Sequence, residues 1–338
     1  GWSNTVTVLE VPEGVTDMEI LGGMEKDYGI MISGCFDVLA GKVVRIGHMG
    51  ENCHVEQMVP TLQALQGTLE KLGVPVVTVI TEGAFHRDPL YNMLQIRNVK
   101  VSAHVKCIAT AEEVKEKSVA ELDALLAESF SFDNFAWQRD NKISIDVPFR
   151  ADGLHRILYK CPHCGAENQM EGKGIQLKCH ACKKQWTMDQ YGQLSANKGD
   201  TEYPHIPDWY RWQRACVRKE LEDGTYLLDE DVDIAIQVNL DGVCKIGEGH
   251  LTHNLEGFHL TGADGKLDYH QSPIYSHTLY SDYYWYEIGD VIGIGDNEFS
   301  YFCFPKRNVS VTKARLATEE LYKMKKQRKV RPKTEQTS

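Results

Sequence analysis

Cys161-Pro162-His163-Cys164 and Cys179-His180-Ala181-Cys182 are the two stretches that decide how the middle of this chain folds. Each Cys-x-x-Cys turns two thiols to one side of a tight loop, and the fourteen residues between the pairs are enough for a hairpin to bring the loops face to face. Two such knuckles complete a tetrahedral four-thiolate site, the donor set that suits zinc. With all four positions taken by sulfur, none remains for water or substrate, so the ion is expected to be structural. His163 and His180 lie inside the knuckles and read as exposed fillers. The competing readings are four unpaired thiols or an iron site of the rubredoxin kind.

Toward the carboxyl end, Asp208 to Leu221 has helical spacing and carries Trp209, Trp212, Cys216 and Val217. That stripe reads as core packing rather than a ligand box. From Tyr226 to about Val311, short β runs alternate with Gly, Asp and Asn turns, which predicts a small all-β domain. His250, His253 and His259 fall within it, a candidate second metal site set against the plainer reading of scattered surface histidines. A last helix over about Ala314 to Lys326 runs into Lys323, Lys325, Lys326, Arg328, Lys329, Arg331 and Lys333, seven positive charges in eleven residues with no acid before Glu335. Such an end is either a solvated tail or an electrostatic contact for anionic lipid.

Toward the amino end, Thr110 to Phe130 predicts one helix. The capping-box pattern Thr110-x-x-Glu113 opens it, and Val119, Leu122, Leu125, Leu126 and Phe130 form its apolar face. Val74 to Ile80 is a buried-strand run, and Val99 to Val101 is a second strand. Before them, strand and helix signals alternate. Thr5 to Leu9 has strand composition, and Val15 to Tyr28 is helix-compatible and stopped by Gly29. Ile30 to Ile32 and Val43 to Ile46 are short strands. Val55, Met58, Val59, Leu62, Leu65 and Leu69 then have helical spacing up to Gly73.

Thirty-seven basic against 48 acidic residues leave a net charge of −11, which argues against a nucleic-acid partner. An apolar share of 42% supports a sizeable core. No apolar run approaches the ~18 residues of a spanning helix. Ten cysteines are too sparse for a disulfide scaffold, so the paired ones point to metal binding in a reducing compartment. No secretory leader pattern opens the sequence, and the expected location is cytoplasmic, peripheral at the inner membrane face if the tail engages lipid.

Two resemblances rest on particular blocks. Residues 3–73, through Ser3-Asn4-Thr5-Val6-Thr7, Ile32-Ser33-Gly34 and above all Gly41-Lys42-Val43-Val44-Arg45-Ile46-Gly47-His48-Met49-Gly50, resemble the small carboxyl-terminal domain of class V, alanine–glyoxylate type aminotransferases. The resemblance implies that Arg45 holds a substrate carboxylate, for which a guanidinium offers two parallel hydrogen bonds. It also implies pyridoxal phosphate on a lysine of a large domain preceding the matched part, a context that Lys42 lacks.

Residues 74–324 are similar to bacterial 1-acylglycerol-3-phosphate acyltransferase-like proteins with an added zinc ribbon. The blocks are Val74 to His86, Phe149-Arg150-Ala151-Asp152-Gly153-Leu154, the knuckles, and Ile206-Pro207-Asp208-Trp209-Tyr210. That family's catalytic histidine and aspartate, four residues apart, and its phosphate block belong upstream of the matching part. His259…Asp264 and His277…Asp282 have the spacing, at a frequency chance supplies, and neither is read as catalytic. Glu82-Gly83 reads as the end of a core strand rather than a phosphate block.

The fold class expected is α+β in several modules, two incomplete pieces joined near Leu72–Val76. They are an aminotransferase-like small domain (1–73), an acyltransferase-core remnant with a helical segment (74–156), a zinc ribbon (157–190), a linker and helix (191–225), a β-rich domain with a final helix (226–322) and a basic tail (323–338). The leading functional expectation is a glycerophospholipid acyltransferase-related protein without its catalytic block, inactive by itself, with the ribbon as accessory. One alternative is a fragment of a pyridoxal-phosphate-dependent class V aminotransferase. The other is a non-enzymatic zinc-ribbon adaptor with a protein partner.

Overall fold

A computed structural model describes residues 6–12, 15–47, 60–61, 63–65, 67–68, 75–92, 95–238, 242–295, 299–307 and 309–330. The chain forms two compact units, Gly1–Pro89 with Ile96–Trp137, and Leu90–Gln95 with Gln138–Ser338.

In the first unit, β1 (Val6–Glu10), β2 (Ser33–Gly34) and β3 (Val43–Gly47) form an antiparallel sheet in the order β1-β3-β2. Helix α1 (Asp17–Tyr28) begins with a capping box between Thr16 and Glu19 and ends at Gly29, whose φ of 67° is the left-handed closure glycine accepts cheaply. Strands β4 (Val76–Glu82) and β5 (Ser102–Ala109) form a separate antiparallel pair. The expected strand at Val99–Val101 is not in a ladder, and β5 begins just after it. Glu82 does end β4. Gly83 follows with φ 80°, and a Cβ there would collide with the Lys100 carbonyl.

One hydrophobic cluster joins Leu9, Ile20, Met24, Val44, Ile46 and Leu65 to Val76, Ile108, Val114, Leu122 and Leu126. The boundary drawn from the two resemblances at 73/74 therefore falls inside a single core. Of the helix expected over Val55–Leu72, the described residues 60–61, 63–65 and 67–68 are helical, with Ala64 and Leu65 buried. Val55, Met58, Val59, Leu62 and Leu69 lie outside the described residues.

After the short α2 (Ala84–Arg87), the single helix expected over 110–130 is two, α3 (Ala111–Glu116) and α4 (Val119–Phe130). The break has a local cause. Ser118 is extended, its hydroxyl accepts from the Glu121 N–H, and the Glu121 carboxylate accepts from the Ser118 N–H at 2.8 Å. Ser118-x-x-Glu121 is thus a second capping box, eight residues after Thr110-x-x-Glu113. Helix α5 (Asn134–Asp140) carries the chain into the second unit.

The second unit holds two sheets. Strands β6 (Met170–Lys173), β7 (Gln176–Cys179), β8 (Gln185–Met188) and β9 (Leu194–Ala196) pair antiparallel in chain order. β9 lies in the stretch read as linker, because Asp189 to Gln193 closes a turn back onto β8. Helix α6 (Ile206–Glu222) follows, with Pro207 in its first turn. Strands β10 (Leu228–Val238), β11 (Val243–Asn254), β12 (Gly257–Gly262), β13 (Leu267–Gln271), β14 (Tyr280–Trp285), β15 (Gly289–Gly295) and β16 (Phe299–Pro305) form a seven-stranded antiparallel sheet, β13-β12-β11-β10-β16-β15-β14.

The last helix, α7 (Val311–Val330), is longer than expected. Val311 and Ala314 pack on the sheet with Val232, Leu251 and Ile292. Leu316, Ala317 and Leu321 pack with Tyr159, Val217 and Tyr226. The charged end is therefore helical through residue 330. Its first charge is paired, Lys323 with Glu320 at 3.2 Å, because helical coiling returns a residue to the turn before it. Arg331 and Lys333 lie outside the described residues. Among the described residues no helix is long and apolar enough to cross a membrane.

The Ser118 box gives a test. S118A should lower stability to urea by about 1 kcal/mol and S118G by only a few tenths, since glycine also serves as a cap. The reverse order would exclude capping as the cause.

Candidate metal centre

The two knuckles are built alike. In the first, the Cys161 N–H donates to the Ala166 carbonyl and the Gly165 N–H to the Cys161 carbonyl, both at 2.9 Å. In the second, Cys179 N–H donates to Lys184 and Lys183 N–H to Cys179, again both at 2.9 Å. The residue after each second cysteine is left-handed, Gly165 at φ 75° and Lys183 at φ 65°. That sharp turn lets both sulfurs of a pair face one point.

The four Sγ atoms lie within 4.8 Å of one another, with Cys161–Cys182 and Cys164–Cys179 each at 3.8 Å. Four sulfurs at the usual Zn–S bond of about 2.3 Å stand about 3.8 Å apart at the corners of a tetrahedron. The cluster has the size of a filled first coordination sphere and can hold a metal ion. Cys161 and Cys179 are buried, Cys164 is exposed, and burial pushes the Cys161 thiol up. His163 and His180 are surface groups, paired with Glu202 at 3.3 Å and Glu171 at 2.9 Å.

What fixes the first knuckle comes from α6. Gln213 is fully buried. Its Nε2 donates to the Ile157 carbonyl at 2.8 Å and its Oε1 accepts from the Lys160 N–H at 3.0 Å. Trp209 Nε1 donates to the Lys160 carbonyl at 3.0 Å while its ring meets Trp186 of β8 edge-on, centroids 5.1 Å apart. Around this clamp lies a closed square of half-buried charges. Lys160 reaches Glu167 at 3.0 Å and Glu220 at 3.4 Å, and Lys313 reaches both at 2.7 Å. Of the expected stripe on α6, Trp209 and Val217 are core while Trp212 and Cys216 are half-buried, and the buried polar member was missed. Gln213 follows Trp209 and precedes Val217 at steps of four, so helical spacing alone placed it inward.

The block 149–154 is a turn folded over the ribbon. Ala151 N–H donates to Gly174 at 2.9 Å and Arg150 Nε to the Met188 carbonyl at 2.8 Å.

The histidines sort differently from the sequence grouping. His253 faces the core, stacked on Phe258 at 3.7 Å with Nδ1 3.0 Å from the Tyr226 hydroxyl, and burial lowers its pKa to about 3. His250 is on the opposite face, between Asp229 and Asp231 at 2.9 Å each, and its pKa is raised, first by the Asp231 hydrogen bond. His259 meets Asp268 at 2.8 Å across the β12–β13 ladder rather than Asp264, which sits in the intervening turn. Asp282 accepts the Tyr283 N–H at 2.8 Å, while the His277 ring lies against Tyr322 at 6.2 Å.

In the first unit, Arg45 lies on β3 opposite Val8 and Ser33. Its Nε donates to the Gly34 carbonyl at 2.7 Å and its guanidinium stands 5.3 Å from the Phe36 ring centre. The Nε edge is thereby occupied, and the edge bearing the two Nη groups is the one shaped for a carboxylate. Lys42 is exposed in the turn before β3. His48, Met49 and Gly50 lie outside the described residues.

No protein-family model matches the chain. No solved structure matches it significantly. An uncharacterized aminotransferase of Methanocaldococcus jannaschii is 39% identical over 74 residues, 22% of this chain and 19% of that protein. A serine–glyoxylate aminotransferase of Arabidopsis thaliana is 36% identical over 75 residues, 22% of this chain and 18% of that protein. An (S)-ureidoglycine–glyoxylate transaminase of Bacillus subtilis is 36% identical over 64 residues, 19% of this chain and 15% of that protein. The chain spans less than a fifth of the length of these curated relatives. They support the aminotransferase-like part and favour it over the acyltransferase reading, which rests on the sequence resemblance alone.

Gln213→Leu keeps the volume and removes both bonds to the knuckle. Two half-buried backbone groups lose their partners, at up to about 1–3 kcal/mol each. The variant should lose a few kcal/mol of stability in urea, and a loss below ~0.5 kcal/mol would show that the clamp is dispensable.

Proposed function

We propose that Cys161, Cys164, Cys179 and Cys182 hold one structural zinc ion, and that residues 157–190 of the second unit are a zinc-ribbon module whose metal organises it without catalysing a reaction. The observation that carries this is the 3.8 Å sulfur spacing, which is that of a tetrahedral zinc–thiolate shell. The donor set fits as well. Four thiolates favour zinc, and iron of the rubredoxin kind is the main competitor. With four sulfurs bound the ion keeps no open position, so its chemistry is charge compensation and crosslinking.

Metal analysis of the reduced chain should find one zinc per chain. Cys179→Ser should lose it and unfold the ribbon while leaving the helices of the first unit formed, as apparent zinc binding energies in small fingers run to roughly 10–16 kcal/mol. Iron in place of zinc, or less than about half an equivalent of either, would refute the assignment.

A second reading is favoured by the relatives. The amino-terminal part serves as the small domain of a class V aminotransferase, with Arg45 gripping a substrate carboxylate through its Nη edge. Pyridoxal phosphate itself needs a lysine set in an enclosed site. Lys42, the lysine of the matched block, is exposed in the turn before β3. The chain as given, supplied with pyridoxal phosphate, is therefore expected to transfer no amino group to glyoxylate. Turnover abolished by Lys42→Ala would overturn this.

A further inference from the structure

The outward face of the seven-stranded sheet carries a row of imidazoles and carboxylates. Strand alternation places Asp229 and Asp231 of β10, His250 of β11, His259 of β12, and Asp268 and His270 of β13 on it together. Within that row two arrangements differ in kind. His250 has a carboxylate at each ring nitrogen, Asp229 at Nε2 and Asp231 at Nδ1, both at 2.9 Å. Both ring nitrogens of His250 are thus already turned to a carboxylate.

His259 and His270 instead share a single carboxylate. They are direct cross-strand partners, and their rings stack 3.9 Å apart at 9°. Each Nε2 converges on the same atom, Asp268 Oδ1, at 2.8 Å from His259 and 3.4 Å from His270. All three donor atoms lie within 4.8 Å of one another. Donor atoms bound to one first-row ion at about 2.0–2.1 Å stand about 2.9 Å apart in an octahedral shell and about 3.4 Å apart in a tetrahedral one. The separations of 2.8 and 3.4 Å are close to the range these shells span.

We propose that His259, Asp268 and His270 form a second metal site, for a divalent first-row transition ion of the zinc class. Two imidazoles and a carboxylate are a borderline donor set, suited to zinc, copper or nickel and too nitrogen-rich for calcium or magnesium. Each imidazole binds through Nε2, the proton that faces Asp268 in the metal-free arrangement moving to Nδ1 or to solvent, and the carboxylate binds through Oδ1. The rings leave the stack by a turn about the outer side-chain torsion, which is broad for imidazole, and both are at the surface, with His270 68% exposed. The turn Ala263–Gly265, with Ala263 and Asp264 left-handed, fixes the register that sets His259 opposite His270. Three protein ligands leave at least one position for water or for a donor from another molecule, unlike the closed four-thiolate cluster.

The test uses the full chain as purified, without a polyhistidine tag, titrated calorimetrically with zinc chloride beside the H259A/H270A double variant. The four-cysteine site is common to both, so any zinc it takes cancels, and the comparison stands even if the ribbon holds no zinc. The wild-type chain should take one equivalent more than the double variant. Single changes H259A, H270A and D268N should each weaken that equivalent by about tenfold or more. H250A should leave it unchanged. Circular dichroism of each variant confirms folding, which these surface changes should not affect. Equal uptake by wild type and double variant, or an extra equivalent lost in H250A but kept in H270A, would overturn the proposal.

Discussion

Buried thiols facing one another constrain the second unit more than any other feature. Cys161 and Cys179 are without solvent exposure, and their sulfurs stand within bonding reach of a common centre together with Cys164 and Cys182. Thiolates in such a place repel one another and lose hydration, so the arrangement is favourable when a divalent cation neutralises them. Binding and folding are then one process. The consequence extends beyond the ribbon, because the segment leading into Cys161 is the one that Gln213, Trp209 and Glu220 of α6 hold from the other side. The same segment supplies Tyr159 to the cluster shared by α6 and α7. Metal site, helices and sheet meet at four consecutive residues, 157–160.

Polar contacts at that junction cost more to leave unmade than they contribute when made. Gln213 satisfies a carbonyl and an N–H that no neighbouring strand reaches, and the Lys160–Glu167–Lys313–Glu220 square lets each charge see two of opposite sign. The exposed pairs elsewhere, such as His180–Glu171, are worth little in solvent. The contrast explains why an amide and four charges belong at a join between elements where a purely apolar join would pack as well. They fix one relative placement of α6, α7 and the knuckle.

Much of this was legible in the sequence where a signal is local. The knuckles, the α6 stripe and the β texture after Tyr226 follow from spacing within a few residues. The helix break at Ser118 was equally local, and it was missed because the apolar period runs on across it while Ser118-x-x-Glu121 goes unread. Non-local matters were not legible. The first unit's core recruits Val76 and Leu122 to Leu9 and Met24, so a boundary inferred from resemblance at 73/74 has no counterpart in packing. The relatives match over a short stretch, and a resemblance of sequence says nothing of which later residues close the same core.

The histidines show how far a sequence could have gone. His250, His253 and His259 look like a group by proximity. Strand parity divides them, since residues an odd number apart on one strand face opposite ways, and His253 goes to the core while His250 goes to water. Register decides the rest. The run Gly262-Ala263-Asp264-Gly265-Lys266 is a turn signal, and closing it pairs Gly262 with Leu267. Counting back three positions on each strand sets His259 against His270 and leaves Asp268 one alternate position away, on the same face. The grouping that matters was thus set by a turn, and a slip of one residue there would have sent both imidazoles to opposite faces of the sheet.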